Sequence, residues 1–511
     1  MRNISRLVLA CVVLFATGCL TPIHQANWIV VNSPNFEIMS TLSTEETMEL
    51  ATDLERFRAL IHAVTTTPKK ESPVPTRIVA FASPSQYIPF APARQTAGFF
   101  NDAVRANTVA LVDQSNVLDA RTVIFHEYVH FILQNGTTVT YPLWYNEGFA
   151  EVLSTVRAHK GNLVIGALPR IRISAFTHGN WLPMRRVLEV TDYSDLTSDQ
   201  VGMFYAEAWA LAHYVTLDRN VPGSLERYLA LREEGIPPQA AYLEAFGESI
   251  ADSENSIRRK LRKGDWRLHG IPIDKLDYDA TPATTRRPGE DEVATRLGML
   301  HFVAGDWDDA RKLFESALVV NAENARAIAG MGDTYKFQKQ FERAEPYFRR
   351  AVELAPDDPY NQLDLAEFLH DYALEQPKGQ ERSRLMREAR NAYAKALELD
   401  ADAPETHLMI GRTYLAAGED PFLAMAPIER AYMALPAVQD VTYSLAEAYL
   451  ANHKEAEAQA LLRRALHSQG KGSVSSDVSQ AIDAIRKHRA EELSKYDGKD
   501  PEVGGESESG S

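Results

Sequence analysis

Residues 123–133 read VIFHEYVHFIL, a deeply apolar run that is interrupted by two histidines and one glutamate. On a helix, a spacing of four residues places His126 and His130 on the same face, about one turn apart. Burying two imidazoles and the Glu127 carboxylate among apolar side chains costs free energy unless they are paired or coordinated. The stretch therefore predicts a buried helix that holds one metal ion, and ordinary core histidines satisfied by hydrogen bonds are the alternative.

A second motif follows downstream, where residues 144–151 read WYNEGFAE. The two motifs together resemble the HExxH and Asn-Glu-Gly-Phe-Ala helices of aminopeptidase-N-like gluzincins, and more broadly the bacterial peptidase MA-like domain. The resemblance covers roughly residues 28–266. It implies an α+β metallopeptidase domain with one zinc ion per chain, held by His126, His130 and Glu147.

The resemblance also implies how such a site would work. The fourth zinc position stays open for water, whose pKa the ion lowers, and Glu127 accepts the proton of that water and returns it to the leaving amine. Glu151, one turn beyond the third ligand, stands where related enzymes keep an acid that hydrogen-bonds a histidine ligand. A solvated surface glutamate is the alternative for this position.

Tyr205 is the candidate donor to the oxyanion, because it falls where aminopeptidase-N relatives place a Tyr-Glu-Lys-Gly segment. The aromatic residues around it are equally compatible with a core stripe. His178 and His213 are weaker alternatives for the same role.

One departure from the aminopeptidases bears on the substrate. Those enzymes bind the free amino terminus with a Gly-Ala-Met-Glu-Asn segment, whereas residues 98–101 read GFFN and contain no glutamate. A strand beside the metal helix can instead pair with an extended peptide through backbone hydrogen bonds. We therefore expect an endopeptidase.

The second half of the chain repeats itself at a spacing of 34 residues between 291 and 468. Leu297-Gly298 recurs as Met331-Gly332, and the set Ala310, Phe314, Ala317 recurs as Ala344, Phe348, Ala351. Small residues at these positions let two antiparallel helices approach, and the aromatic fills the gap between them. The pattern resembles the tetratricopeptide repeat and predicts about five copies, with an insertion of about eleven residues in the third. An unrelated helical bundle is the alternative.

The predicted fold class is therefore an α+β gluzincin domain followed by an all-α tetratricopeptide-repeat solenoid. The remaining segments connect or follow these two parts. Residues 267–290, with several prolines and charges, predict a linker, residues 469–497 a C-terminal helix, and residues 498–511 a disordered tail.

The N-terminus predicts export and anchoring. Residues 1–18 have a basic start and a short apolar stretch typical of a signal peptide, and Ala16-Thr17-Gly18-Cys19 resembles the bacterial lipobox. A lipidated Cys19 followed by a tether over 19–27 predicts attachment to the cell envelope, on the periplasmic or extracellular face and possibly at the outer membrane. The alternative is an ordinary signal peptide in which the cysteine is incidental.

The charge and the motifs of the sequence are compatible with two functional hypotheses. A formal net charge of -16 without a basic stripe argues against nucleic-acid binding. The first hypothesis is an envelope zinc endopeptidase that acts on a protein or peptide substrate and recruits a protein partner in the repeat groove. The alternative is a non-catalytic scaffold or assembly factor that retains the peptidase fold.

Overall fold

The computed structural model describes residues 22–65, 76–91, 98–101, 107–112, 120–136, 141–377, 379–400, 403–417, 419–436, 438–468 and 478–487. The predicted signal peptide, Cys19 and the tail 498–511 lie outside these described residues. Within the described part, no helix combines the length and apolar character needed to cross a membrane.

Two sheets organise the first half of the chain. The strands are β1 Ile29–Asn32, β2 Phe36–Ser40, β3 Thr76–Phe81, β4 Gly98–Asn101, β5 Asn107–Val112, β6 Arg157–His159, β7 Asn162–Ile165, β8 His269–Pro272 and β9 Thr284–Arg286. The larger sheet has the order β4-β5-β3-β2-β1-β9, and the smaller one has the order β6-β7-β8. Strands β2, β3 and β5 run parallel, while β4, β1 and β9 are antiparallel to their neighbours.

Helices cover the sheet and build the rest of this half. They are α1 Thr44–Val64, α2 Pro84–Tyr87, α3 Ala120–Gly136, α4 Leu143–Ser154, α5 Arg170–His178, α6 Met184–Glu189, α7 Ser198–His213, α8 Ser224–Glu233, α9 Pro238–Phe246 and α10 Ile250–Lys263. A capping box between Ser43 and Glu46 starts α1. The stacked rings of Phe57 and Phe125, 4.1 Å apart, join α1 to α3 in the core. The first half of the chain thus combines two sheets with packed helices.

Residues 267–290 do not behave as the linker that the prolines and charges predict. Strand β8 pairs with β7 and strand β9 pairs with β1, so both sheets gain an edge strand from this segment. The two strands are only four and three residues long, too short for their alternation to show in the sequence. Arg286 on β9 also bonds Glu292 at 2.6 Å, which ties the segment to the helices that follow.

The second half of the chain is a solenoid of paired helices. They are α11 Glu290–Val303, α12 Trp307–Val320, α13 Ala325–Phe337, α14 Phe341–Leu354, α15 Pro359–Glu375, α16 Gln380–Leu399, α17 Pro404–Ala417, α18 Phe422–Ala434, α19 Gln439–Ala451 and α20 Glu455–Ser468. The helical solenoid is as predicted, and the insertion in the third copy lengthens α15 to 17 and α16 to 20 residues. Residues 478–487 form a further described helical stretch.

The solenoid rests on the sheet of the first half. Arg296 on α11 bonds Glu37 on β2 at 2.7 Å. The guanidinium of Arg77 on β3 lies 5.0 Å from the ring centroid of Tyr360 on α15. The repeats therefore contact the sheet at β2 and β3, and β4 stands at one end of the order of described strands.

Candidate metal centre

Three helices bring the two sequence motifs together. Helix α3 carries His126 and His130, α4 carries Glu147, and α7 packs closely against α4. The contact between α4 and α7 depends on Gly148, where a Cβ atom would lie 2.1 Å from the backbone oxygen of Ala208. This close approach fixes the position of Glu147, the residue before the glycine.

The three predicted ligand atoms form a nearly equilateral triangle. His126 Nε2 lies 3.1 Å from Glu147 Oε2 and 3.1 Å from His130 Nε2. His130 Nε2 lies 3.3 Å from Glu147 Oε2. One carboxylate oxygen and two imidazole nitrogens thus lie together, with Glu147 buried and both histidines partly buried.

This triangle fits a zinc ion in both chemistry and size. Two imidazoles and one carboxylate form a donor set found in catalytic zinc sites. Donor atoms about 2.0–2.1 Å from a tetrahedral zinc lie about 3.3 Å from each other, close to the three distances between His126, His130 and Glu147. His126, His130 and Glu147 would hold the ion, as the resemblance implies.

The charges around the triangle suit a cation. Burial by itself raises the pKa of Glu147, but hydrogen bonds with His126 and His130 outweigh burial and place the pKa well below its usual range. Glu147 is therefore ionised at neutral pH and accepts hydrogen bonds or binds a cation. Burial lowers the pKa of His130, and the Glu147 carboxylate more than compensates for it.

Each histidine has a polar partner on its outer side. Glu151 Oε1 lies 3.7 Å from Nδ1 of His126, and Arg172 on α5 holds that oxygen through its Nε atom at 3.1 Å and a terminal nitrogen at 2.5 Å. Asn146 Oδ1 lies 3.2 Å from Nδ1 of His130. Such partners orient imidazole ligands and fix their tautomers. The structure thus places Glu151 buried beside a histidine rather than at the solvated surface.

Glu127 and Tyr205 lie near the same site. Glu127 is partly buried on α3, and its charge contributes to the raised pKa of His130. The ring centroid of Tyr205 on α7 lies 6.2 Å from that of His126. Burial and the Glu147 carboxylate raise the pKa of Tyr205 to about 12, so its hydroxyl is protonated and can donate.

The two histidines considered as alternatives to Tyr205 lie elsewhere. His213 is fully buried between Trp209 and Trp266 and interacts with the backbone oxygen of Arg267 at 3.1 Å. His178 is exposed at the end of α5, and its Nδ1 lies 2.8 Å from the Thr177 hydroxyl. Neither belongs to the triangle of ligand atoms.

A second group of donors lies in the solenoid, where His301, Asp306 and Asp309 approach within 4.8 Å of one another. Asp306 caps α12, and the ammonium group of Lys312 bonds Asp309 at 2.5 Å. A cation already placed at the group disfavours a second cation. We interpret this group as a polar turn between α11 and α12.

Three residues at the metal centre have no role in the sequence prediction: Asn146, Arg172 and Tyr193. Asn146 stands inside the quoted motif, but the motif gives no reason to assign it to His130. Arg172 lies on a helix without buried residues, between the exposed Ile171 and Ile173. Tyr193 lies on a short 3-10 turn, and its hydroxyl is 2.7 Å from that of Tyr205. Only the folded chain brings these side chains together.

Comparison with known families identifies part of the second half of the chain. Residues 290–357 match the family described as tetratricopeptide repeat. These residues are tetratricopeptide repeats. The predicted repeat architecture is confirmed over this range, and the five helix pairs from α11 to α20 continue the same arrangement.

Three other proteins are similar to parts of this chain. Protein O-mannosyl-transferase TMTC3 from Homo sapiens is 43% identical over 53 residues, which cover 10% of this chain and 6% of that protein. The thermophilic tetratricopeptide repeat protein TTC0263 from Thermus thermophilus is 24% identical, covers 40% of this chain and 98% of its own, and has a TM-score of 0.32. YrrB, a repeat protein with an unusual peptide-binding site, is 16% identical over 38% of this chain and 91% of its own, with a TM-score of 0.28.

Proposed function

We propose that this chain is a protein-interaction scaffold whose tetratricopeptide repeats bind a protein or peptide partner, and that its first half is a zinc-dependent endopeptidase. The interaction function has the broader support, because it follows from the repeat family and the helix pairs. The peptidase function rests on the metal-centre geometry alone. The two functions are compatible, since a repeat surface can deliver a substrate to a catalytic site on the same chain.

An exposed aromatic cluster on the repeats suggests where a partner binds. Phe337 at the end of α13 is 53% exposed, and its ring lies 5.0 Å from Phe302 and 6.0 Å from Trp307. Aromatic side chains grouped at a surface are typical of interaction sites. We expect Phe337→Ser to abolish the co-purification of an envelope partner. Val319→Ser, at an 86% exposed apolar position on α12, is the matched control and keeps the partner.

The observation that carries the peptidase proposal is the triangle of His126, His130 and Glu147 donor atoms. Bound there, zinc supplies a Lewis acid that polarises a carbonyl and acidifies a water molecule. Glu127, the neighbour of His126 on α3, accepts a proton from water and later returns it to the leaving amine. Tyr205 donates its hydroxyl proton in a hydrogen bond to the oxygen that becomes negative.

Strand β4 suits the binding of an extended substrate. It lies at one edge of the larger sheet, pairs with β5 through residues 98–101, and packs beside α3. An edge strand can add a peptide through backbone hydrogen bonds, with no requirement for a free amino terminus.

A single substitution tests the catalytic proposal. Glu127→Gln keeps the shape of the side chain and removes the base, so we expect full zinc binding and a loss of peptide cleavage of about 10²–10⁴-fold. The matched control is Glu189→Gln, an exposed position at the end of α6. Full cleavage by Glu127→Gln would overturn the mechanism. If the wild-type chain binds its partner but cleaves no envelope protein or peptide, only the scaffold function remains.

We also propose that the mature chain is anchored to the envelope through a lipid on Cys19. The support is the lipobox-like sequence that ends in this cysteine. Cys19→Ala should release the protein from the membrane fraction, and mass spectrometry should find the diacylglyceryl group only on the wild type. Unmodified Cys19 in the wild type would remove this part of the proposal.

A further inference from the structure

Two cavities lie side by side next to the π-helical turn Tyr214–Arg219, which directly follows α7. The first has a volume of about 530 Å³ and is lined largely by apolar side chains, among them Phe149, Val215 and Ile271. The second has a volume of about 550 Å³ and is lined by charged and hydroxyl-bearing side chains. Arg267 lines both, so the apolar cavity and the polar cavity meet at this residue.

The apolar cavity lies on the reverse side of the helix that carries the third ligand. Tyr145, Phe149 and Val152 of α4 line it, at a spacing of four and three residues that places them on one face of the helix. Glu147 and Glu151 point the other way, toward His126. Sites for small molecules typically enclose about 300–1,000 Å³ between apolar walls, and this cavity falls within that range. It is therefore a candidate ligand site separate from the metal centre.

The polar cavity has positive charge that the chain does not neutralise. Its cations are Arg219, Arg259, Lys260 and Arg267. Arg219 pairs with Glu248, and the ammonium group of Lys260 lies 3.4 Å from the Asp218 carboxylate. Within the described part of the chain, Arg259 and Arg267 form no ion pair. The remaining acids of the two linings, Asp265 and Glu226, are exposed to solvent. The charge therefore favours an anionic group where the two cavities meet.

We propose that the two cavities together bind a single-chain amphiphile with an anionic head group, such as a fatty acid. Its chain lies in the apolar cavity, where burial of each CH₂ group is favourable. Its head group lies at Arg267, whose guanidinium can donate two parallel hydrogen bonds to a carboxylate or a phosphate. The polar cavity alone would take a small anion, and the apolar cavity alone an uncharged ligand, so both are outcomes that the test has to separate.

Calorimetric titration of the mature full-length chain with octanoate, decanoate and dodecanoate tests the proposal. We expect the affinity to rise about fourfold for each CH₂ group that enters the cavity. Dodecanol, which has the chain without the charge, should bind about tenfold or more weakly than dodecanoate. An affinity independent of chain length would mean a small-anion site, and equal affinities for dodecanoate and dodecanol would mean an uncharged ligand. Either result, or no binding at all, would overturn the proposal.

A substitution at Arg267 tests the head-group contact. Arg267→Gln removes the charge at an exposed position, so dodecanoate should bind about 10–100-fold more weakly while dodecanol binding stays the same. The matched control is Arg262→Gln, an exposed cation in the last turn of α10 that lines neither cavity, and it should bind dodecanoate as the wild type does. Equal losses in the two variants would show a general charge effect and no head-group site.

A larger side chain at Ile271 tests the chain contact. Ile271→Trp fills part of the apolar cavity from β8, and tryptophan is well accommodated in strands. The variant is first shown to melt as the wild type does, and it should lose more affinity for dodecanoate than for octanoate. If it does not fold, Arg267→Gln still decides the head-group site. Wild-type dodecanoate binding by both folded variants would place the ligand elsewhere on the chain.

Discussion

Two glycines show how differently the two halves of the chain bring helices together. At Gly148 an added Cβ atom would meet the backbone oxygen of Ala208 at 2.1 Å and the Cβ of Ala212 at 2.7 Å. At Gly332 it would meet the ring of Phe348 at 2.9 Å. Helix α4 therefore lies against the backbone of α7, whereas α13 lies against a side chain of α14.

The difference reflects what each helix pair has to do. Next to Gly148, the carboxylate of Glu147 has to meet two imidazoles of a third helix within a few tenths of an ångström, and a rigid backbone contact provides this precision. The repeats have to pack an aromatic ring between two helices, and a ring can move slightly. The metal centre is thus expected to be intolerant of small shifts that the solenoid absorbs.

The largest effect is expected from removing a solenoid aromatic. Phe348 is fully buried, and its ring lies 5.1 Å from that of Phe368 in the next helix pair. We expect Phe348→Ala to lower the free energy of unfolding of the repeats by about 3–5 kcal/mol, measured by urea denaturation. Zinc binding by the folded fraction should be unchanged, and its loss would mean that the two halves are not separable.

Adding one methyl group at each glycine tests whether the two helix contacts differ in tolerance. Overpacking typically lowers the free energy of unfolding by about 1–3 kcal/mol and occasionally by more. We expect the loss for Gly148→Ala to lie at or above the upper end of this range, and the loss for Gly332→Ala near its lower end. Gly148→Ala should also weaken zinc binding, because it displaces Glu147. If both variants had the same unfolding midpoint and bound zinc normally, the backbone contact at Gly148 would be no less tolerant than the side-chain contact at Gly332.

A smaller effect is expected at the outer partner of His126. Glu151→Gln keeps the shape and removes the charge between His126 and Arg172, so zinc affinity should fall about 10–100-fold in chelator competition. Arg172→Lys should also lower the zinc affinity, because lysine cannot reproduce the two hydrogen bonds that Arg172 donates to one Glu151 oxygen. Unchanged zinc affinity in both variants would mean that Glu151 does not orient His126.

The smallest effect is expected where the two halves meet. Arg296 and Glu37 form a partly exposed ion pair at 2.7 Å. Such pairs contribute about 0.2–1 kcal/mol, so we expect Arg296→Ala to shift the unfolding midpoint slightly and to leave zinc binding unchanged. A double-mutant cycle with Glu37→Ala measures the coupling, and a value of several kcal/mol would show that the contact is essential to the fold.

The sequence predicts most of the architecture because the deciding patterns are local. The recurrence of Met331-Gly332 and Phe348 at a fixed spacing is visible without knowledge of the fold, and so is the four-residue spacing of the histidines. The edge strands β8 and β9 were not predictable. Each is too short for an alternation pattern, and each forms only because a distant strand offers a partner.

The candidate site is predictable only as far as its motifs extend. The two histidines and Glu147 stand in recognisable motifs, and the structure brings their donor atoms together. Arg172 and Tyr193 are placed by α5 and by a turn, and no spacing in the sequence connects them to α3 or α4. Contacts between such distant segments depend on packing, which a local pattern does not encode.

The zinc content of the purified mature chain shows whether the triangle of donor atoms holds a metal ion. We expect about one zinc per chain by mass spectrometry of the metal, and none in a folded His126→Ala, His130→Ala double variant. A wild-type chain that folds and melts normally without any bound zinc, even after incubation with zinc, would rule out a metal site at this triangle. The triangle of His126, His130 and Glu147 would then be a buried polar cluster, and the chain a scaffold.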